Sequence, residues 1–104
     1  MHTVRHLKIR LLGSLKAYAG REEIEMTIED KVRLREVLAN LIKIEPSLSR
    51  AIESDGSLKP GYLIFINDAD YMVFNGLETL VGSGDVITIL PISHGGQGSV
   101  SRGS

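Results

Sequence analysis

Near the start of the chain Leu7, Ile9 and Leu11 alternate with His6, Lys8 and Arg10. This two-residue period predicts a half-buried strand. Gly13-Ser14 ends it, and a short segment over residues 15–19 stops at Gly20. Alternation returns at Ile24, Met26 and Ile28, set against Glu23, Glu25, Thr27 and Glu29. The two strands predict a hairpin with an elaborated loop. The period then changes. Leu34, Val37, Leu38, Leu41 and Ile42 fall at i, i+3, i+4, i+7 and i+8, one apolar stripe on a helix. Asp30 is the nearest good capping residue, and Pro46 marks the end. Residues 47–52 predict one or two further turns.

Asp55-Gly56 and Lys59-Pro60-Gly61 are turn signals. Between them and Asn67 lies Tyr-Leu-Ile-Phe-Ile, an unalternating run over residues 62–66 that fits a central strand. Residues 67–70 turn the chain, residues 71–74 predict a short strand, and residues 75–80 are irregular or a single turn. Gly82-Ser83-Gly84-Asp85 turns tightly into a last strand ending near Ile92. The order ββα, helical turn, βββ requires the helix to cover one sheet face. A long crossover puts the last strand in the middle. This is the layer logic of an α+β roll. One domain over residues 1–92 and a Gly/Ser-rich tail over residues 93–104 are expected, the tail flexible by composition.

A length of 104 residues suits one domain. The net charge of −1 argues against a surface dominated by phosphate contacts, so no nucleic-acid partner is expected. No apolar run is long enough to span a bilayer, and the first residues lack the apolar core of a signal peptide. The cytoplasm is the expected compartment. Cysteine is absent, which removes disulfides, thiolate metal sites, iron–sulfur clusters and cysteine nucleophiles. Sulfur chemistry would have to use another atom of the chain, and a C-terminal carboxylate could serve.

Several patterns have a plainer reading than a site. His2 and His6 are four apart, but on a strand that separates them by roughly 13 Å, so surface histidines are expected and no metal. Asn67-Asp68-Ala69-Asp70 lacks the glycine and distant glutamate of a calcium loop and reads as a turn. Gly82-Ser83-Gly84 precedes a strand rather than a helix, which argues against phosphate binding. Glu22, Glu23, Glu25 and Glu29 read as solvated charge guarding a sheet edge.

Gly95-Gly96 follows the last strand after Ser93-His94. Two glycines in succession can lie extended in a channel too narrow for side chains. Taken alone, the pair is a linker signal. With the rest of the chain it carries a resemblance. Leu12-Gly13-Ser14-Leu15-Lys16-Ala17-Tyr18-Ala19-Gly20-Arg21-Glu22 is similar to the first loop of the ubiquitin-like β-grasp sulfur carriers. Leu58-Lys59-Pro60-Gly61 with the apolar run and Asn67 is similar to their basic-Pro-Gly strand, and Leu80, Gly84, Asp85, Val86, Ile89 and Pro91 to their closing pattern. The chain resembles most the small subunit of molybdopterin synthase, alongside the thiamine sulfur carrier and the protein-modifying relatives of eukaryotes and archaea.

The resemblance implies a β-grasp fold with a mixed sheet of four or five strands and one main helix. It implies a carrier or modifier that is the substrate of an E1-like adenylating enzyme, rather than an enzyme itself. ATP is consumed by that partner, and no cofactor is bound. Gly96 supplies the activated carboxylate and becomes a thiocarboxylate, with Gly95 beside it. The sulfur passes to an acceptor such as a molybdopterin synthase large subunit. Alternatively, the activated glycine joins a protein lysine, or the domain is a β-grasp binding module without carrier chemistry. A partner surface is expected on the open sheet face and the exit of the last strand, from Tyr62, Ile64, Ile66, Ile87, Ile89, Pro91 and His94. Strand alternation already commits part of that set to the core. The departure from the pattern is the tail. With residues 97–104 attached, Gly96 has no free carboxylate. The tail reads as a segment removed by a processing protease, as a vector-derived scar, or as a sign that carrier chemistry was lost. Arg33, where the family often has Ser or Thr as helix cap, is a smaller departure.

Overall fold

The computed structural model describes residues 5–92. Strand β1 (Arg5–Leu11) leads into helix α1 (Ser14–Ala19) and strand β2 (Glu23–Ile28). A two-residue strand β3 (Val32–Arg33) precedes the main helix α2 (Leu34–Ile44), and a 3-10 helix (Pro46–Arg50) follows. Then come β4 (Tyr62–Ile66), β5 (Ala69–Asp70), 3-10 turns at Tyr71–Val73 and Gly76–Glu78, β6 (Leu80–Val81) and β7 (Val86–Pro91). The main sheet has the order β2-β1-β7-β4-β5, and β3 pairs with β6 in a small second sheet. β7 lies in the middle, parallel to β1 and antiparallel to β4. This is the α+β roll and the ubiquitin-like β-grasp expected from the chain.

The alternation places the core as read. Leu7, Ile9 and Leu11 of β1, Ile24 and Met26 of β2, Ile64 and Ile66 of β4, and Ile87 and Ile89 of β7 are all buried. They share one cluster with Leu34, Val37, Leu38 and Leu41, the stripe of α2. Each fully buried aliphatic side chain contributes roughly 1.5–3 kcal/mol through removal from water. Leu15 of α1 and Leu48 of the 3-10 helix close the end of the same core.

Three local expectations fail. The turn expected over residues 67–70 is confined to Asn67-Asp68, because Ala69 and Asp70 pair with Ile66 and Phe65 as β5. Asp30 does not cap α2. Its carboxylate accepts from the Lys31 amide at 2.8 Å, and β3 intervenes before the helix. Arg33 takes the N-cap place with extended backbone and no side-chain cap bond. The Leu34 amide is satisfied instead by the Thr79 carbonyl at 2.8 Å, a tertiary partner no local signal reveals. Residues 71–74 do not form a strand. The Asp70 carboxylate accepts from the Met72 amide and starts a 3-10 turn. Met72, Val73 and Phe74 stay exposed, and among the described residues no strand pairs with them.

Gly56 anchors the long connection between α2 and β4. It sits at φ +88°, buried against the Arg35 carbonyl of α2, where any Cβ would overlap that oxygen. The Gly56 amide donates to the Glu53 carbonyl and Glu53 to the Ser57 carbonyl, closing the turn. At its tip the Ser57 hydroxyl and amide donate to the Asp55 carboxylate and hold that carboxyl below its ordinary range.

Candidate functional site

The site is the place where the chain leaves the sheet, and it is built by the strand that ends there. β7 is hydrogen-bonded on both sides, so its direction is set by the whole sheet. The Leu12 amide donates to the Ile89 carbonyl at 3.1 Å. One strand over, the Ile92 amide donates to the Gly61 carbonyl at 2.8 Å. Gly61 is at φ +94°, the turn geometry that Lys59-Pro60-Gly61 signalled. Gly13 closes the other side. It adopts φ +61° and ψ −137°, and a Cβ there would come within 3.1 Å of the Pro91 ring. Two glycine turns thus hold the last residues of β7 from opposite sides. The described chain ends at Ile92, four positions before Gly96 in the sequence. His94, Gly95 and Gly96 lie outside the described residues.

The expected docking set divides. Ile64, Ile66, Ile87 and Ile89 face α2 and are at most 5% exposed. They cannot form a partner surface. The physical reason is the register, which pairs Ile64 with Ile89 and Ile66 with Ile87 on the covered face. Tyr62 packs partly on that same core, while Pro91, its pairing partner, is half-buried at the β7 exit. The same register sends Leu63, Phe65, Thr88 and Leu90 to the opposite face, with Leu63 across from Leu90 and Phe65 across from Thr88. These side chains are half-buried, with no place in the core cluster. The unalternating run of β4 concealed them, because both of its faces are apolar although only one is core.

Beside this apolar strip the open face is charged. Lys8 pairs with Val86 and Arg10 with Thr88 across the parallel β1–β7 ladder. Lys8 Nζ lies 3.7 Å from Glu23, and Arg10 Nη2 3.7 Å from Glu22. His6 Nδ1 lies 4.0 Å from Glu25. Such exposed pairs are worth at most about 1 kcal/mol each and leave the cations available to a partner. Arg10 Nε is buried without a hydrogen-bond partner among the described residues. The open face therefore offers an apolar half next to a basic row, continuous with the strand that carries the arm. A second exposed apolar group, Met72, Val73, Phe74 and Leu80, lies at the far pole, near the start of α2.

Nothing in this geometry holds a metal: among the described residues no three His, Asp or Glu side chains converge as ligands would. Among them, too, no helix is long and apolar enough to cross a membrane.

A five-stranded mixed sheet clasping one helix, with a central last strand running out toward Gly-Gly, defines a ubiquitin-like β-grasp protein. The class is that of modifiers and sulfur carriers, and comparison with known proteins agrees. Residues 6–96 match the profile of Urm1, the ubiquitin related modifier. The ubiquitin-related modifier 1 homolog of Dictyostelium discoideum is 31% identical, over 86% of this chain and 98% of that protein. A candidate sulfur carrier protein of Archaeoglobus fulgidus is 33% identical, over the same shares of the two chains. The solution structure of small archaeal modifier protein 1 from Methanosarcina acetivorans superposes with a TM-score of 0.70 at 29% identity, covering 86% of this chain and 95% of that one. The chain belongs to the ubiquitin-related modifier family.

Proposed function

We propose that this protein is a sulfur carrier and protein modifier activated at the carboxylate of Gly96 once residues 97–104 are gone. The observation that carries the reading is the coincidence of two boundaries. The family match stops at Gly96, and the described chain ends one residue past β7, at Ile92, whose amide is tied to the Gly61 carbonyl. Four residues then separate a rigid body from the reacting carbon, two of them without side chains. An arm of this kind reaches into an enclosed active site while the body stays outside.

The chemistry asks little of the carrier. A carboxylate is a poor electrophile until one oxygen becomes part of a leaving group. An E1-like partner supplies this step by joining the carboxylate to AMP from ATP, with release of pyrophosphate. A sulfur donor then displaces AMP and leaves the thiocarboxylate. Transfer of that sulfur to an acceptor, such as a molybdopterin synthase large subunit, is the carrier branch. Attack by a lysine amine, which forms an amide, is the modifier branch. Membership of a modifier family favours keeping the second branch, and both begin from the same adenylate. A protease that cuts after Gly96 is required wherever the tail is native.

Intact mass of the untagged protein from its own cells tests the reading. The expected species ends at Gly96, as carboxylate or heavier by the difference between sulfur and oxygen. Retention of residues 97–104 on every molecule overturns it. Conjugates of higher mass that vanish on deletion of Gly96 identify the modifier branch, and their absence beside a thiocarboxylate identifies the carrier branch.

The open face is the docking surface in this reading, with Leu63, Phe65 and Leu90 as its apolar centre. Phe65→Glu combined with Leu90→Glu is expected to lower adenylation by the activating enzyme roughly tenfold or more, since a few central apolar anchors dominate such contacts. The amide spectrum should remain that of a folded protein. Adenylation at the unaltered rate would remove this face from the reading.

A further inference from the structure

β2 is the edge of the main sheet, and among the described residues no strand pairs with its outer side. The Leu11 amide donates to the Glu22 carbonyl at 2.7 Å. Stepping in twos along the register, Ile24, Met26 and Ile28 turn their main-chain groups toward β1. Glu23, Glu25 and Thr27 therefore direct their amides and carbonyls outward. Beneath this edge runs a groove of about 370 Å³ between β2 and α2. Met26, Ile28, Val32 and Val37 supply its apolar lining. Its rim carries Glu29, Asp30 and Glu36 against one cation, Lys31. Asp30 and Glu36 lie 3.4 and 3.5 Å from Arg5 and Arg33, while Glu29 pairs with no cation among the described residues.

We propose that the outer edge of β2 and the groove beneath it bind an extended segment of a protein partner, apolar at alternate positions and flanked by Lys or Arg. The segment would add a strand to the five already present. The outward main-chain groups supply its ladder, and its alternate side chains enter the groove over Ile28 and Val37. Glu29, the rim carboxylate without a cation among the described residues, selects its charge. A second copy of this chain does not fit, because edge-to-edge pairing would set two rows of glutamates against each other. The groove lies at the pole where Ile28 meets Arg5, whereas β7 leaves the sheet beyond the Leu11–Ile89 pair at the other pole. A partner held here leaves the end of β7 and the open face free. The inference does not depend on activation of Gly96.

The test is an amide-shift titration of the full chain with a synthetic peptide, acetyl-Lys-Arg-Val-Thr-Val-Thr-Val-Lys-Arg-amide, and its counterpart with Glu at the four flanking positions. Shifts are expected at Glu25, Thr27, Glu29, Val37 and Asn40 with the basic peptide alone, weakening as salt rises. Glu29→Lys with Glu36→Lys, both exposed positions, should weaken binding roughly tenfold. Thr27→Pro removes one outward amide and should abolish binding without breaking a bond to β1. Equal binding of the acidic peptide, shifts centred on Leu63, Phe65 and Leu90, or no shifts at about millimolar peptide would each overturn the proposal.

Discussion

Ile89→Ala is expected to lower the unfolding free energy by about 3–4 kcal/mol, within the range for deleting a large aliphatic side chain from a packed core. Ile89 is wholly buried in the central strand, between Leu11 of β1 and Ile64 of β4, and faces the α2 stripe. Strands on both sides hold its backbone, so the sheet cannot close over the lost volume. In urea the midpoint should fall while the slope stays constant, because the surface exposed on unfolding is nearly unchanged. The effect on function should follow stability alone. A variant still folded at low temperature keeps the Ile92–Gly61 bond and the arm's exit, and should be adenylated like the parent. A loss below about 1 kcal/mol would mean the core repacks around β7 and that the strand is held less firmly than its pairings indicate.

Gly56→Ala should cost a comparable amount, about 2–4 kcal/mol, for a different reason. No apolar area is lost. The residue is at φ +88°, where an alanine is strained, and its Cβ would overlap the Arg35 carbonyl of α2. Relief requires the turn from Glu53 to Ser57 to lift from the helix, which breaks the Ile52–Leu58 bridge beside it. Gly20→Ala is the control. Gly20 also has positive φ, at +75°, but nothing among the described residues lies within 4 Å of a Cβ, so it should lose only about 1 kcal/mol. Thermal unfolding of the two variants separates strain from overlap. Equal losses would show that the contact with Arg35 is not what holds this turn.

Much of the architecture was legible because side-chain period follows element type. The two-residue alternation of β1 and β2 and the stripe of α2 each named its own buried residues. The turns at Gly61 and Gly84 were readable since both take positive φ. The pieces that failed were those whose partners lie far along the chain. Asp30 looked like a cap, yet Thr79 satisfies the start of the helix. Residues 71–74 have strand-like composition, but a strand needs a neighbour, and β4 already pairs with β7 and the two residues of β5. The two-residue β3 and β6 carry no period at all and exist only as each other's partners.

The candidate site divides in the same way. The Gly-Gly pair, the absence of cysteine and the final strand are properties of the chain itself, and only together with the family resemblance do they lead to the expectation of an activated carboxylate at Gly96. Which residues lie on the open face could not be read from β4, because Tyr62, Leu63, Ile64, Phe65 and Ile66 are all apolar and a run without contrast does not show its orientation. Only the pairing of Ile64 with Ile89, over a helix packed on one side, put four isoleucines inside and turned Leu63, Phe65 and Leu90 outward. The groove beside β2 was hidden for the same reason. Of its acids only Glu29 was visible in the chain as edge charge, Asp30 having read as a helix cap, and the apolar floor beneath them forms only where α2 crosses the sheet. Local composition determined the main elements. The surfaces were decided by long-range pairing, because a side chain's exposure depends on what packs against it rather than on its own chemistry.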